Sequence, residues 1–219
     1  MAEGRRRKFN LAVIGKAKSG KSSLIKALLQ AQFQLEAGAC LPATDALECT
    51  RECAKYDRPG SPVIFWDVPG CGTQNEPLDG YVERIEMSKY DGFIVCCGGP
   101  VTEDEIYLNN LIAKMGRRYI FVRTKIDIAL ENERKDKPSK FNMKDYLKRI
   151  KDNIEEKLSD SGVTAFLVSS RLDYTEYTEE FLTLQLLVFD KEFIPAYMRH
   201  SNRRVSRDDK HGQSNWKRF

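Results

Sequence analysis

Asn10-Leu11-Ala12-Val13-Ile14-Gly15-Lys16-Ala17-Lys18-Ser19-Gly20-Lys21-Ser22-Ser23-Leu24-Ile25-Lys26-Ala27-Leu28-Leu29 decides the fold. An apolar run leads into Gly15–Ser22, which fits the phosphate-cradling pattern G-x-x-x-x-G-K-[ST], and a helix-prone run follows. At average residue usage a chain of this length meets the pattern by chance roughly once in a hundred. The flanking strand and helix therefore carry the reading. Loop amides wrap a phosphate, and the N-terminus of the new helix adds a favourable partial charge. Gly15 and Gly20 permit the tight wrap, because a side chain at either place would obstruct it. Lys21 is expected on the β- and γ-phosphates as a point charge, and Ser22 on Mg²⁺. Lys18, Ser19 and Ser23 complete this part of the expected nucleotide contact.

Outward from that loop, apolar strands alternate with helical patterns. Strands are expected at Pro62–Trp66, Gly92–Cys97, Tyr119–Val122 and Ala165–Val168. Helices are expected after the glycine loop to about Gln34, at Tyr81–Lys89, from Thr102 towards Met115, from Asn142 through Leu158, and over Glu180–Tyr197. Thr102 and Glu105 have capping-box spacing, and Gly116 is a plausible stop. Residues 131–140 are charged, contain Pro138 and are expected to form a loop. The alternation predicts an α/β fold with a mostly parallel sheet covered on both faces, its site at the carboxyl ends of the strands.

Two further motifs begin where a strand ends. Asp67-Val68-Pro69-Gly70 offers Asp67 as a carboxylate that holds Mg²⁺ through water, and the Gly70 amide as a γ-phosphate sensor. Thr124-Lys125-Ile126-Asp127 offers a carboxylate for the N1–H and N2–H₂ of guanine. Adenine lacks that donor pair, so an unpaired buried Asp127 would reject it. Lys125 would lay its stem on the base, and a backbone amide at Ser169 or Ser170 would meet guanine O6. The order of these motifs is that of GTPases.

Composition narrows the classes. The 219 residues, 41% hydrophobic, suit one α/β domain with tails, and the net charge is +4. Residues 1–8 carry +3 and residues 199–219 carry +5, leaving a body near −4. Basic ends on a mildly acidic body argue against nucleic acid and for solvated tails weakly attracted to an acidic membrane. The expected organisation is a basic tail over 1–8, a nucleotide-binding domain over 9–200 and a basic tail over 201–219. Six cysteines without zinc-like spacing read as reduced thiols. Neither a signal peptide nor an apolar run of about 18 residues is present, and Ala2 does not fit a myristoylation signal.

Longer stretches add a family. Trp66–Gly70, Val122–Asp127, Phe166–Ser170, Asn132–Pro138 leading to Phe141-Asn142, Ser88–Asp91 and Ile194–His200 resemble the immunity-related GTPases, the interferon-inducible group. The resemblance spans roughly residues 9–200. It implies GTP/GDP binding with Mg²⁺, slow hydrolysis, and homo- or hetero-dimerisation across nucleotide faces. It also implies a cytoplasmic protein acting peripherally on intracellular membranes in cell-autonomous innate immunity. Thr44, Glu48 and Thr50 match the family's first-switch pattern. Thr44 or Thr50 would close on Mg²⁺, and Glu48, as a catalytic residue beside Lys21, would position the attacking water. Cys71 stands where Ras-like enzymes carry a water-orienting glutamine, which predicts slow unaided turnover. Family members flank this domain with helices and a large helical domain. Those lie outside this chain, so an isolated domain, a truncated isoform or an incomplete gene model is expected. The alternative reading is a nucleotide-binding interaction module with little or no hydrolysis.

Overall fold

The computed structural model describes residues 8–33, 52–57, 61–72, 78, 80–159, 163 and 165–171. Among them the strands are β1 (Phe9–Gly15), β2 (Ala54–Asp57), β3 (Val63–Asp67), β4 (Gly92–Cys97), β5 (Arg118–Arg123) and β6 (Ala165–Leu167). The helices are α1 (Lys21–Phe33), α2 (Tyr81–Arg84), α3 (Glu103–Lys114), α4 (Ile126–Asp136) and α5 (Met143–Lys157). The strands join in one sheet of order β2-β3-β1-β4-β5-β6. Only β2 runs antiparallel to its neighbour. The expected α/β fold is present.

Strands buried on both faces need unbroken apolar runs rather than alternation. β4 is buried at every position and β1 at all but Asn10. Successive side chains leave opposite faces. Ala12, Ile14, Phe93, Val95, Cys97 and Phe121 enter one core, together with Leu108 and Ile112 of α3 and Ile154 of α5. Leu11, Val13, Phe65, Ile94, Cys96 and Val122 enter the other, packed on Leu24, Ile25 and Leu28 of α1. Cys96 and Cys97 thus face opposite ways, as their adjacency in a strand requires. Each such fully buried aliphatic side chain stabilises by about 1.5–3 kcal/mol.

Two expected elements come out differently. The charged stretch read as a loop over 131–140 is helical to Asp136. Ile126 and Leu130 anchor one face of α4 in the core. Glu131–Lys135 and Glu133–Lys137 pair across single turns, at 2.8 and 3.1 Å. Such i,i+4 pairs support a helix that its charge density alone does not forbid. The helix stops just before Pro138, which cannot continue it. The single helix expected over Tyr81–Lys89 instead divides into α2 and a 3₁₀ turn at Met87–Lys89. Glu86 between them is left-handed, with φ 49°. Ile85 and Met87 are both buried, which one regular helix would not allow two positions apart. The edge strand β2, with no counterpart in the sequence reading, has half-exposed and exposed positions in alternation.

The capping box at Thr102 and Glu105 is formed, and Gly116 follows α3 at φ 62°. The helix expected over Glu180–Tyr197, residues 1–7 and the tail 201–219 lie outside the described residues.

The Asn142 side chain accepts a hydrogen bond from the Asp145 amide at 3.3 Å at the start of α5. Asn142→Ala should lower stability by about 1 kcal/mol in urea unfolding while leaving the denaturant slope unchanged.

Candidate functional site

The sheet order places β1 between β3 and β4, so the chain leaving β1 enters the crevice where ligands bind in open α/β sheets. Backbone crowding there is severe. Gly15 has φ 141°, and a Cβ on it would stand 2.2 Å from the Cys96 carbonyl oxygen. Any other residue at position 15 would force β1 and β4 apart. A Cβ on Gly70 would lie 2.6 Å from the Ala17 backbone, so the two loops are in direct contact. The Cys71 amide donates to Gly15 O at 3.2 Å, and the Ala17 amide to Cys71 O at 3.3 Å. The chain after Asp67 is therefore stitched to the glycine loop as a short parallel bridge.

Lys21 is buried at the head of α1, and its amine donates to the Lys16 and Gly15 carbonyls at 3.0 and 3.4 Å. Ser22 Oγ donates to Asp67 Oδ2 at 2.5 Å. The two residues assigned to Mg²⁺ from β1–α1 and β3 are thus brought together. Ser19 is buried, and its Oγ has no hydrogen-bond partner among the described residues. A buried hydroxyl beside glycine-lined backbone fits a loop built to receive an anion's oxygens. Among the described residues no group of three His, Cys, Asp or Glu is arranged to hold a metal. Mg²⁺ characteristically takes one or two protein oxygens and completes its shell with water and phosphate, so the Ser22–Asp67 pair fits it. Lys18 is left-handed at φ 61°, and its side chain is exposed.

A cavity of about 340 Å³ opens beside this loop, lined by residues that include Gly20, Ser23, Thr124, Lys125, Asp127 and Ser170. Asp127 is buried in the first turn of α4, and its carboxylate takes no hydrogen bond from any described residue. Lys125, left-handed at φ 59°, ends the strand geometry and starts the helix. Its amine crosses to the Lys18 carbonyl at 2.7 Å. Thr124 Oγ1 donates to Ser19 O at 2.6 Å. The loop between β5 and α4 and the glycine loop are thereby tied at two points. The Ser169 hydroxyl accepts from the Arg171 amide at 3.1 Å, which shapes the turn that carries Ser170 to the cavity. Thr44, Glu48 and Thr50 lie outside the described residues.

Several neighbours escaped the sequence reading. Lys26, Ile128 and Arg171 also line the cavity. Lys26 stands three positions after Ser23 on α1, and that helical spacing was a usable signal. Lys16 pairs with Asp104 of α3 at 3.0 Å, and hydrogen bonding to that carboxylate raises the lysine's pKa. Nothing in the sequence joins positions so far apart. Cys71 is fully buried, and burial pushes its thiol up to about 11. It is a neutral thiol at physiological pH and cannot replace a glutamine amide as a water-orienting group.

The family model described as "Interferon-inducible GTPase (IIGP)" matches residues 1–199. The mouse T-cell-specific guanine nucleotide triphosphate-binding protein 2 is 38% identical over 197 residues, 88% of this chain and 45% of that protein. Mouse interferon-gamma-inducible GTPase 10 is 34% identical over 88% of this chain and 45% of its own length. Mouse interferon-inducible GTPase 1 is 33% identical over 88% of this chain and 46% of its own length. The chain spans a little under half the length of these relatives.

A thiol with its pKa near 11 is on the order of one part in a thousand ionised at pH 8. Cys71 in the folded chain should therefore resist iodoacetamide at that pH and react only in denaturant. Half-buried Cys53 should label before it, as read by peptide mass mapping.

Proposed function

We propose, from the premise that the chain belongs to the interferon-inducible GTPase family, that it binds GTP and GDP with Mg²⁺ and hydrolyses GTP slowly to GDP and phosphate. The observation that carries this reading is the cavity that places Asp127, Lys125 and Ser170 beside Gly20 and Ser23. Its volume of about 340 Å³ is in the range of small-ligand sites. Asp127 accepts the two donors of guanine, Lys125 packs on the base plane, and an amide at Ser169–Ser170 meets O6. Lys21 neutralises the β- and γ-phosphates. Ser22 gives its oxygen to the cation and Asp67 holds the cation's water. The bound cation supplies charge neutralisation on the phosphate chain. Gly70 reports the γ-phosphate through its amide, and Thr44 or Thr50 closes on the cation.

Hydrolysis needs a group that orients water. Glu48 takes that role, completed by a second molecule facing it across the nucleotide. The expected biology is cell-autonomous innate immunity, with the protein cytoplasmic and peripheral on intracellular membranes. The buried, neutral Cys71 after Gly70 favours a second reading, a nucleotide-binding module that turns over little or not at all.

Calorimetry should show GDP binding far tighter than ADP, and Asp127→Ala should weaken GDP by at least about a hundredfold. Lys21→Ala should abolish nucleotide binding in a chain with unchanged circular dichroism. ADP binding equal to GDP binding would remove the guanine assignment.

GTP turnover per molecule should rise with protein concentration and depend on Glu48. Turnover flat at zero over the whole concentration range would leave the binding module as the correct reading.

A further inference from the structure

Residues 134–151 carry eight lysines and arginines against Asp136 and Asp145, a local net charge of +6. The whole chain carries only +4. The excess sits at the corner where α4 turns into α5, away from the nucleotide crevice. Local pairing uses up only part of it. Glu131 is taken by Lys135, and Glu133 by both Lys137 and Arg149. Lys140, Lys144 and Lys148 are exposed and make no ion pair among the described residues. They recur every four positions, and Lys144 and Lys148 are like-charge neighbours one turn apart on α5.

Asp145 in the first turn of α5 and Lys157 in the last suit its macrodipole, and Lys144 beside Asp145 is the cation that the dipole disfavours. Beside the lysines Phe141 and Met143 are half-buried, and the Arg134 guanidinium lies 5.1 Å from the Phe141 ring centroid. Phe141 and Met143 both pack against the core, and Met143 shares its face of α5 with Tyr146, Leu147, Ile150 and Ile154, while Lys144 and Lys148 are exposed beside that face.

We propose that this α4–α5 corner docks on an anionic lipid surface, with Lys140, Lys144 and Lys148 as its electrostatic contacts. Lysine carries a point charge without the fork that reads a single carboxylate or phosphate, so an unpaired lysine row suits a diffuse, fluid negative surface. Among the described residues no helix is long and apolar enough to cross a membrane, and a peripheral contact needs none. The proposal rests on the membrane-peripheral role given above, and it moves the contact from the basic chain ends to the folded domain.

The test uses the full chain with vesicles of neutral phosphatidylcholine, and with others in which roughly a third is phosphatidylserine. Wild-type chain should sediment with the acidic vesicles only, and less so as salt is raised. A K140A/K144A/K148A variant should lose binding on the order of a hundredfold, since each lysine near the surface contributes roughly five-fold. A variant with Arg5, Arg6 and Arg7 changed to Ala removes equal charge and should bind nearly as wild type. Unchanged GDP affinity in both variants shows that the fold and nucleotide reading stand independently. Equal loss in both variants, or full binding by the lysine variant, overturns the assignment to α4–α5. A wild-type chain that ignores acidic vesicles overturns it together with the membrane role, including the case where it binds an acidic protein or an oligonucleotide instead.

Discussion

One close approach governs the molecule. Gly15 leaves β1 with its Cα so near the Cys96 carbonyl that a methyl group there would be 2.2 Å away. The approach follows from pairing β1 with both β3 and β4, in registers that set Val13 beside Asp67 and Gly15 beside Cys96. A strand hydrogen-bonded on both sides has no lateral freedom. The chain beyond it must turn up and back over the sheet, and only a residue without Cβ can begin that turn here. Loop, α1 N-terminus and the carboxyl ends of β3 and β4 then meet at one rim. Every other feature of the site depends on that geometry.

The rim behaves as one body because its parts are tied by short contacts. Thr124 donates to Ser19 O at 2.6 Å and Lys125 to Lys18 O at 2.7 Å. Both acceptors are backbone carbonyls of the glycine loop, so movement of the Thr124–Asp127 segment carries that loop along. A carbonyl fixed in this way also directs its neighbouring amides. The left-handed turns at Lys18 and Lys125 cost on the order of 1–3 kcal/mol each if unsupported. The crossing hydrogen bond offsets part of that cost at both positions together. On the proposed reading, preorganisation of this kind would let a buried Asp127 discriminate by what it leaves unpaired.

Much of this was legible before any coordinates. Periodicity placed β1, β3, β4, β5, β6, α3 and α5, because each is either an unbroken apolar run or a capped amphipathic helix. Asn142 and Thr102 marked their helix starts through local chemistry that a sequence displays openly. Reading failed where tertiary context outweighed local signal. The charge run at 131–136 resembles a loop until Ile126 and Leu130 are seen to pin it to the core and its acids to pair with bases one turn on. The break at Glu86 was hidden because it depends on two buried residues that a continuous helix would separate. β2 is four residues of mixed polarity whose strand character comes from pairing with β3. At the site, the residues of each motif were visible, while Lys16–Asp104 joins positions that only the fold makes neighbours.

That ion pair bears on how the site responds to its ligand. The segment after Asp67 is held to the glycine loop by hydrogen bonds of 3.2 and 3.3 Å, at the long end of the useful range. Lys16–Asp104 adds a bridge whose side chains are each about a third exposed. Solvent screening limits such a pair to about 1 kcal/mol or less. The segment is anchored from beneath instead, since Val68 and Cys71 are fully buried and the Tyr81 hydroxyl donates to Pro69 O at 2.6 Å. On the proposed reading, a phosphate oxygen at the Gly70 amide would add a charge-assisted hydrogen bond, stronger than either of the neutral contacts to the glycine loop. Asp104 lies in the first turn of α3, so its pair with Lys16 is a direct but weak side-chain link from the glycine loop to that helix.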